Sequence, residues 1–464
     1  MNTIIEQSRK AASQLRDIPI ATRLKCIQRL KQEILQRSEQ IIGLIQKDTG
    51  KSHADALMSE IFPALDYLSF LEKNTESALR DETVKTPIAL LGKKSIITYE
   101  PVGVVLVITP WNYPFYQGLV PCLTAFATGN ACLFKPSEFT PLKGLFEELF
   151  RASGFESNWI QIIYGDGKTG CDLIAAKPDK VFFTGGTATG KKIMQQCAEH
   201  VIPVELELGG KDPMIVFEDV NLDRATSGAL WGAFTNLGQS CTSVERVYVH
   251  EKIYAAFRDM LVAKAKLLKQ DPAADLGLMT TDKQAQTVRA QLTDAKKSGA
   301  KLLSGEKELG DSKLRKIPAI VLENAASNSA LIVDETFGPV LPLIAFRDEE
   351  EAVSLANASE YGLSASVWSK DLKRALRVAR RLQTGNVSIN NVMLTEANPH
   401  LPFGGVKQSG FGRAKSRAGF HSFCNVKSIL IDKDGSKIEA NWFPYDKRKE
   451  ELFNGLMHAL FGKA

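Results

Sequence analysis

The sequence predicts an α/β protein built on parallel sheets, and three observations support that prediction. Several short runs, such as residues 102–108, are continuously apolar and rich in valine, as strands buried on both faces of a parallel sheet are. Segments with apolar residues every three or four positions alternate with these runs and predict helices between the strands. At 464 residues, the chain is long enough for two or three domains.

The individual elements follow from the same patterns, taken in chain order. Residues 22–47 are predicted to be helical because Leu24, Ile27, Leu30 and Ile34 recur at helical spacing. A second helix is predicted over residues 55–74, kinked or broken near Pro63. Strands are predicted at residues 94–100, 102–108, 131–134, 159–164 and 181–184. In the second half, strands are predicted at residues 214–217, 246–250, 317–322, 341–346, 364–368 and 386–390. The helices between them are predicted at residues 224–236, 252–268, 283–297, 349–357 and 372–382.

The composition argues against several classes of protein. It is 44% hydrophobic and 24% charged, which is ordinary for a globular protein, and the net charge of +5 includes no dense basic block that would indicate nucleic-acid binding. The seven cysteines are scattered without a CxxC motif and the six histidines are isolated, so we expect reduced thiols and no metal site. The N-terminus has no secretory pattern, so we expect a cytoplasmic protein.

A lone cysteine, Cys241, lies in the break between the predicted helix 224–236 and the predicted strand 246–250. Gly238 precedes it and would let one stretch of backbone approach another. A cysteine at such a break can be a nucleophile at the mouth of a pocket. Free cysteine is also among the most buried residue types, so on this residue alone an apolar filler is the favoured interpretation.

A glycine-rich turn follows the predicted strand 181–184 and contains Gly185, Gly186 and Gly190. A strand, a glycine-rich turn and a helix together offer backbone N–H groups and a positive helix end to a phosphate. The spacing is not GxGxxG, so a plain tight turn is equally compatible with it.

The turn after the predicted strand 131–134 contains Lys135, Ser137 and Glu138. Open α/β sheets bind ligands at this carboxyl edge, where a carboxylate can accept both hydroxyls of a ribose and a lysine can neutralise a phosphate. A solvated loop with Ser137 as a helix cap is equally compatible with these residues.

Four other segments each allow more than one interpretation when taken alone. The segment ELELGGK alternates charge with leucine, so Glu205 or Glu207 could be a general base, although a surface edge strand is the commoner explanation. Asn112 lies between Pro110 and Pro114 and could be a rigid amide donor, although turn asparagines often serve the backbone. The turns ETFGP and LPFGG are equally open.

Together and in this order, the motifs resemble the aldehyde dehydrogenase superfamily over about residues 20–445. They are PWNYP, KPSE, FTGGT, ELGGK, GQSC, ETFGP and PFGGVKQSG. The short N-terminus, the WFPY tail and the spacing between Asn112 and Cys241 are most similar to the class 3 branch, which includes fatty and aromatic aldehyde enzymes.

The resemblance implies roles for particular residues. Cys241 matches the nucleophile, Glu207 the general base and Asn112 the amide that, with the Cys241 backbone N–H, stabilises an oxyanion. Lys135 and Glu138 match contacts to the adenosine ribose. The full set of cofactor contacts implied is Trp111, Lys135, Ser137, Glu138, Gly185, Gly186, Gly190, Leu208, Glu335 and Phe337.

Four of these cofactor residues carry a specific expectation. Glu335 matches the glutamate that holds the nicotinamide ribose, and Phe337 packs beside the ring. Gly186 replaces the serine or asparagine usual at its position, so backbone N–H groups must bind the phosphate there. A Glu138 carboxylate should repel a 2′-phosphate, so NAD is expected first and NADP as usable.

The resemblance also implies an organisation of the chain. It implies a Rossmann-like NAD-binding domain (residues 1–82 and 100–208), an α/β catalytic domain (209–412), a small β bridging element (83–99 and 413–440) and an amphipathic tail (441–464). Residues 94–100 and 428–431 are expected to form a sheet that bridges a homodimer, with a tetramer as the alternative. The last helix has one apolar face, formed by Leu452, Phe453, Leu456, Met457, Leu460 and Phe461. We expect that face to pack on its own domain or across the dimer, with weak membrane-surface contact as the other hypothesis.

The expected activity is NAD(P)-dependent oxidation of an aldehyde to the acid through a thiohemiacetal and a thioester on Cys241. An ordinary thiol is mostly protonated at neutral pH, so proximity of Glu207 or of the cationic nicotinamide would have to deprotonate Cys241. No charged residue could be assigned to the substrate wall. Tyr113, Trp231 and Phe403 lie near the motifs and predict a hydrophobic funnel for medium-chain, long-chain or aromatic aldehydes.

Two alternatives keep the aldehyde chemistry, and a third loses it. A semialdehyde dehydrogenase, for example for succinic semialdehyde, is the first alternative, and a coenzyme A-acylating enzyme ranks lower because Glu207 favours hydrolysis. A binding protein that kept the fold and lost the chemistry would have replaced Cys241, Glu207 or Asn112, and all three are present.

Overall fold

The computed structural model describes residues 2–271, 273–310, 312–432, 435–436 and 438–462. Its contacts divide the chain into two units, one of residues 1–79 and 100–425 and a smaller one of residues 80–99 and 426–464. The predicted boundary between a cofactor domain and a catalytic domain at residue 209 falls inside the larger unit and stays a prediction.

Helices occur along the whole chain. The first are α1 (Asn2–Asp17), α2 (Ile20–Gln36), α3 (Ser38–Thr49), α4 (His53–Ala56) and α5 (Phe62–Ala78), with a π-helical turn at Leu57–Ile61 between the last two. Next come α6 (Pro114–Ala127), α7 (Leu145–Ala152), α8 (Gly167–Ala175), α9 (Thr187–Ala198), α10 (Leu222–Phe234) and α11 (Glu251–Ala265). They are followed by α12 (Asp282–Lys297), α13 (Glu306–Gly310), α14 (Ala330–Val333) and α15 (Glu349–Asn357). The last are α16 (Leu372–Arg381), α17 (Leu394–Ala397), α18 (Ser416–Ser422) and α19 (Lys447–Phe461).

The strands alternate with these helices. The first are β1 (Glu82–Val84), β2 (Lys93–Pro101), β3 (Val104–Ile108), β4 (Ala131–Lys135), β5 (Ile160–Ile162) and β6 (Lys180–Thr184). Next come β7 (Val204–Glu207), β8 (Asp212–Val216), β9 (Val244–His250), β10 (Lys301–Leu302) and β11 (Ile320–Glu323). The last are β12 (Val340–Phe346), β13 (Ser364–Trp368), β14 (Asn386–Ile389), β15 (Gly410–Phe411) and β16 (Cys424–Asp432).

A six-stranded sheet in the larger unit has the order β15-β7-β6-β3-β4-β5. All its neighbouring strands are parallel except β15, which is antiparallel to β7. The chain moves outward from β3 through β4 to β5 and then returns to place β6 on the other side of β3. The strand order therefore reverses between β3 and β6, which is where open α/β sheets bind ligands beyond the carboxyl ends of their strands.

A seven-stranded sheet in the same unit has the order β10-β11-β12-β9-β8-β13-β14. It is parallel except for β10. Separate clusters of buried apolar residues cover its two faces, one with Met214 and Val247 and the other with Ile215 and Tyr248. This two-sided burial explains the apolar runs within its strands, such as residues 214–216 of β8 and 340–346 of β12.

The smaller unit contains a three-stranded sheet of order β1-β2-β16. The two segments expected to share a bridging sheet, residues 94–100 and 428–431, lie in β2 and β16. Strand β16 is at the edge of this sheet, and its residues from 425 to 432 are exposed.

The helical N-terminal region differs from the prediction in three places. The single helix expected over residues 22–47 is divided at Arg37, whose ψ of 15° interrupts the helical backbone. The break expected near Pro63 is instead a π-helical turn, because Pro63 lies in the first turn of α5, where a missing N–H costs nothing. Helix α1 was not predicted, although Ala11 and Leu15 bury its apolar face.

Strand β7 corrects the explanation of ELELGGK as a surface edge strand. It lies between β6 and β15, and both of its glutamates are buried. Glu205 forms an ion pair with Lys180 at 3.2 Å, which explains how a charge is accommodated in the sheet. In the described part of the chain, no helix has the length and apolar character needed to cross a membrane.

Candidate active site

The loop that carries Cys241 has a strained backbone. Asn236 and Leu237 adopt left-handed conformations with φ of 48° and 55°, each of which costs a non-glycine residue about 1 kcal/mol or more. Gly238 follows with φ of 66°, and a Cβ there would lie 2.4 Å from the carbonyl oxygen of Gly338. The prediction that Gly238 lets backbone approach backbone is confirmed.

Asn112 lies in the turn between β3 and α6, at the carboxyl edge of the six-stranded sheet. Its side-chain Nδ2 donates to the backbone carbonyl of Gln239 at 3.0 Å. Asn236 Nδ2 donates to the backbone carbonyl of Asn112 at 3.2 Å and to that of Gln239 at 3.1 Å. These bonds join Asn112 to the loop of Cys241. An amide nitrogen carries two hydrogens, and the bond to Gln239 uses one of them.

Glu207 lies at the carboxyl end of β7. Its backbone pairs with Gly410 of β15, so the motif PFGGVKQSG lies against ELGGK. The side chain is buried, and its Oε1 atom has no hydrogen-bond partner among the described residues. Burial raises the pKa of Glu207 to about 8; the positive charge of Lys415 opposes this rise and the negative charge of Glu396 adds to it. At neutral pH a group with this pKa is mostly protonated.

The surroundings of Cys241 also favour its neutral form. Burial raises the pKa of the Cys241 thiol well above its ordinary value, and the charges of Glu396 and Glu207 raise it further. Cys241 is half-buried and lines a cavity. An ionised Glu207 would disfavour the thiolate, because two negative charges repel, so its charge does not explain how Cys241 is deprotonated. The cationic nicotinamide is the remaining source of the two that were considered.

One cavity of about 200 Å³ brings the three predicted catalytic residues together. Cys241, Glu207 and Asn112 all line it. The predicted cofactor contacts that line the same cavity are Trp111, Gly185, Gly186, Leu208, Glu335 and Phe337.

A second cavity of about 610 Å³ lies beyond the carboxyl ends of β3, β4 and β6. Lys135, Ser137 and Glu138 line it, and it shares Trp111, Gly185 and Gly186 with the first cavity. Lys135 Nζ lies 3.5 Å from Glu138 Oε2, and Ser137 Oγ accepts a hydrogen bond from the backbone N–H of Phe139. The two groups expected to contact a ribose are therefore side by side on one wall.

The residues of this second cavity suit a dinucleotide. The hydroxyl groups of Thr109 and Thr184 line it and are buried without a hydrogen-bond partner in the part of the chain that the structure describes. Helix α9 begins directly after Gly186, so its positive end lies at the cavity wall. A Cβ added to Gly186 would meet nothing within 4 Å, which leaves room for a phosphate.

Gly190 has a different place from the other two glycines. It was expected in the pyrophosphate turn, but it is buried in the first turn of α9 and lines neither of the two cavities. A Cβ at Gly190 would lie 2.6 Å from a methyl carbon of Leu208. The glycine is therefore required for close packing of α9 on the ELGG segment.

Glu335 and Phe337 also line the first cavity. Glu335 Oε1 accepts a hydrogen bond from the backbone N–H of Gly210 at 3.0 Å, and burial raises the pKa of Glu335 to about 8. The ring of Phe337 is edge-on to that of Trp111, with 5.3 Å between centroids. Glu245, which the sequence analysis did not single out, accepts the Phe337 N–H at 2.7 Å and so fixes this turn.

Two other charged residues near the site were missed. The carboxylate of Glu396 accepts hydrogen bonds from Thr242 Oγ1 at 3.2 Å and from Gln117 Nε2 at 3.3 Å. Lys415 is buried, donates to the backbone carbonyl of Glu396, and holds its Nζ 5.1 Å from the ring centroid of Tyr116. No local pattern marks either residue, because folding alone brings Glu396 to the Cys241 loop and Lys415 to Glu396.

The three aromatic residues expected to form a funnel differ in exposure. Tyr113 and Phe403 are buried, whereas Trp231 is exposed on α10. Asp55 Oδ1 accepts a hydrogen bond from Thr235 Oγ1 at 2.9 Å, which joins α4 to the residue that follows α10.

Comparisons with known proteins agree with this geometry. The model of the aldehyde dehydrogenase family matches residues 1–429. The chain is 42% identical to a 4,4'-diapolycopene aldehyde oxidase from Methylomonas sp. over 463 residues, which are 99% of this chain and 87% of the relative. It is 32% identical to a 4,4'-diaponeurosporen-aldehyde dehydrogenase from Staphylococcus aureus, with 92% of each chain covered.

A solved structure gives the same result for the fold. Indole-3-acetaldehyde dehydrogenase in complex with NAD+ matches with a TM-score of 0.86 and 31% identity, over 92% of this chain and 88% of that one. The parallel sheets and their covering helices are thus the α/β fold of this family, with its Rossmann-like cofactor-binding part. The chain belongs to the aldehyde dehydrogenase family and is an oxidoreductase that uses NAD or NADP to oxidise an aldehyde.

Proposed function

We propose that Cys241, Glu207 and Asn112 carry out the oxidation of a hydrophobic aldehyde to its carboxylic acid. The observation that supports these roles is that all three residues line one cavity. The cofactor, when bound, supplies a nicotinamide that accepts a hydride and whose positive charge favours the thiolate.

In the first half of the proposed reaction, the Cys241 sulfur attacks the aldehyde carbonyl carbon. The carbonyl oxygen becomes negatively charged and accepts hydrogen bonds from the remaining Asn112 Nδ2 hydrogen and from the Cys241 N–H. One such donor typically lowers the activation free energy by about 3 kcal/mol. The carbon then loses its hydride and remains on Cys241 as a thioester.

In the second half, Glu207 removes a proton from water, and the hydroxide attacks the thioester. The C–S bond breaks, the acid leaves and the thiol is restored. Glu207 suits this role because its Oε1 atom has no partner among the described residues and its pKa of about 8 makes it a stronger base than an ordinary carboxylate. A base at this position also ranks transfer to coenzyme A below hydrolysis.

Glu138 and Lys135 bear on the choice of cofactor. We place the adenosine ribose against them in the larger cavity, where the carboxylate of Glu138 accepts the ribose hydroxyls. Its charge disfavours a 2′-phosphate, while Lys135, 3.5 Å away, offsets part of that repulsion. NAD is therefore the preferred cofactor and NADP the weaker one.

The proposed substrate is a long, uncharged aldehyde. Exposed apolar side chains occur on three segments that are connected to the site: Phe62 begins α5, Trp231 lies on α10, which precedes the Cys241 loop, and Leu394 is two residues before Glu396, which binds Thr242. Such residues together favour an apolar ligand at the mouth of the site. Two relatives are named for 4,4'-diapolycopene aldehyde and 4,4'-diaponeurosporen-aldehyde, and neither name denotes a charged semialdehyde, which agrees with an apolar substrate.

The substrate proposal is tested by a rate panel with NAD. Acetaldehyde, hexanal, decanal, benzaldehyde and succinic semialdehyde are compared by kcat/KM. A rise with chain length is expected, because each buried methylene contributes about 0.8 kcal/mol. Preference for succinic semialdehyde would replace this proposal with the alternative of a semialdehyde dehydrogenase.

We also propose a cytoplasmic homodimer of the class 3 type, with the cofactor and catalytic domains meeting near residue 209. The exposed edge strand β16, with Val426, Leu430 and Ile431 exposed, supports pairing of the small sheet with a second copy. A tetramer is the alternative. Light scattering of the intact protein distinguishes the two, and a monomer would contradict both.

The apolar face of the final helix α19 is exposed. Every residue of α19 is described and none is buried, so its six large apolar residues remain exposed. We propose that the face packs against the second copy. Weak attachment to a membrane surface is the competing proposal, and co-sedimentation with anionic vesicles of the full chain and of a chain ending at Asp446 separates them. Equal, negligible sedimentation of both chains is expected; loss of vesicle binding on truncation would favour the membrane.

A further inference from the structure

A lysine and a glutamate that the proposed reaction does not use are buried together behind Asn112. Lys51 Nζ and Glu60 Oε1 are 2.6 Å apart, and their side chains are 1% and 0% exposed. Neither residue lines the catalytic cavity. We call them the Lys51–Glu60 pair.

The pair binds the chain on either side of Tyr113, where the turn that contains Asn112 joins α6. On one side, Lys51 Nζ donates to the backbone carbonyl of Asn112 at 2.8 Å. On the other side, Glu60 Oε2 accepts the backbone N–H of Phe115 at 2.7 Å and that of Tyr116 at 3.3 Å. These N–H groups belong to the first turn of α6, which has no side-chain cap of its own. Glu60 therefore serves as the cap, and its negative charge suits the positive end of the helix.

Local backbone geometry explains how Glu60 reaches this place. It lies in the π-helical turn Leu57–Ile61, an irregular form that often occurs at functional sites. The Lys51 ammonium also lies 4.4 Å from the ring centroid of Tyr113, so it contacts two consecutive residues of the turn, Asn112 and Tyr113. The carbonyl that Lys51 binds is the same one that Asn236, in the Cys241 loop, also binds.

Stability alone does not account for a pair in this position. Removing two charges from water costs several kcal/mol each, and apolar replacements of buried ion pairs are often neutral or stabilising. What the pair provides is a fixed orientation of one turn. We propose that the Lys51–Glu60 pair positions Asn112 so that its Nδ2 meets the oxyanion formed at Cys241. This inference rests on the role proposed above for Asn112.

The test uses Lys51→Met with Glu60→Gln in one full-length chain. The matched control is Lys31→Met with Glu72→Gln. It removes a different ion pair, one that joins α2 and α5. The burst of NADH is followed at saturating NAD, with the fastest aldehyde among decanal, benzaldehyde and succinic semialdehyde, and NAD affinity is measured by fluorescence.

The pair variant should lower the burst rate about 10- to 100-fold, as a displacement near 1 Å does, while burst amplitude and NAD affinity stay unchanged. A merely structural role would instead lower the amplitude, because fewer molecules would be active. The control variant should keep the native burst rate and burst amplitude. Glu60→Asp, which retains the charge but withdraws it from the helix end, should lower the burst rate by a smaller factor and serves if the double variant does not fold.

Asn112→Ala separates failure of this inference from failure of the proposed reaction. In the Asn112→Ala chain, changing the pair should lower the burst rate less than threefold further, because the pair acts through Asn112. An equal effect with and without Asn112, or a normal burst rate in the pair variant, would overturn the inference alone. A normal burst rate in Asn112→Ala itself would overturn the role of Asn112 and the inference with it.

Discussion

The side-chain amide of Asn112 donates a hydrogen bond to the backbone carbonyl of Gln239, two residues before Cys241. This bond links the turn after β3 to the loop after α10. It also fixes the direction of the second Nδ2 hydrogen, which the proposed reaction uses.

Replacing Asn112 with alanine should slow the first half of the reaction. One oxyanion donor contributes about 3 kcal/mol, so the NADH burst rate should fall at least about 100-fold. NAD affinity should stay within twofold, because the backbone of Trp111 and the cavity wall are retained. Stopped-flow absorbance at 340 nm and NAD titration measure the two quantities. A burst rate within a factor of three of the native value would contradict the assignment.

The pH dependence of thioester hydrolysis should follow Glu207. Its pKa of about 8 means that the carboxyl is protonated, and so cannot accept a proton, over most of the neutral range. The hydrolysis rate should therefore rise with pH and level off above about pH 8. Glu207→Gln should form the thioester and then hydrolyse it at least about 100-fold more slowly at every pH. A steady-state rate that is flat from pH 6 to 9 while hydrolysis limits it would count against Glu207.

The same raised pKa predicts a change in stability. The folded pKa of about 8 exceeds the ordinary 4.5, so between these values the folded chain holds a proton that the unfolded chain has lost. By linkage, the contribution of Glu207 to the free energy of unfolding falls as pH rises from 4.5 to 8, and then stays constant. Glu207→Gln removes this loss. Its stability relative to the native chain should increase by more than about 1 kcal/mol between pH 5 and 8.5, by urea unfolding. No pH dependence of the difference would show that Glu207 is not held in this environment.

Gly186→Ser should strengthen cofactor binding. Gly186 is the N-cap of α9, has an ordinary φ of −71°, and has open space around its Cβ position. A serine hydroxyl there can donate to a phosphate, and a net hydrogen bond of about 1 kcal/mol lowers the NAD dissociation constant roughly fivefold. Gly43→Ser, on α3 with equal space, is the control and should change nothing. Weaker NAD binding in Gly186→Ser would place the phosphate elsewhere.

The fold was largely predictable because the two large sheets are parallel and buried on both faces. Continuous apolar runs such as β3 and β12 can then be recognised without knowledge of their neighbours. Helix α1 was missed because its few apolar residues are separated by a polar majority. The prediction of a surface edge strand for β7 was wrong. Alternation in ELELGGK indicates such a strand unless a buried partner such as Lys180 is known.

The candidate site was predictable only where a motif carries it. Cys241 and Asn112 were identified by their motifs in order, since each residue alone favoured a structural explanation. Glu396, Lys415 and the Lys51–Glu60 pair have no motif, and their meaning depends on which segments fold together. Gly190 shows the reverse: the motif was right, but its glycine serves packing against Leu208.

The most direct test of the whole account is the NADH burst of Cys241→Ser, measured beside NAD binding. Asn112 and Glu207 are proposed to act on intermediates bound to the Cys241 sulfur, so the whole account depends on that sulfur. The serine chain should bind NAD with native affinity and produce no NADH burst with any aldehyde of the panel. Near-normal turnover by Cys241→Ser would contradict the account at its centre.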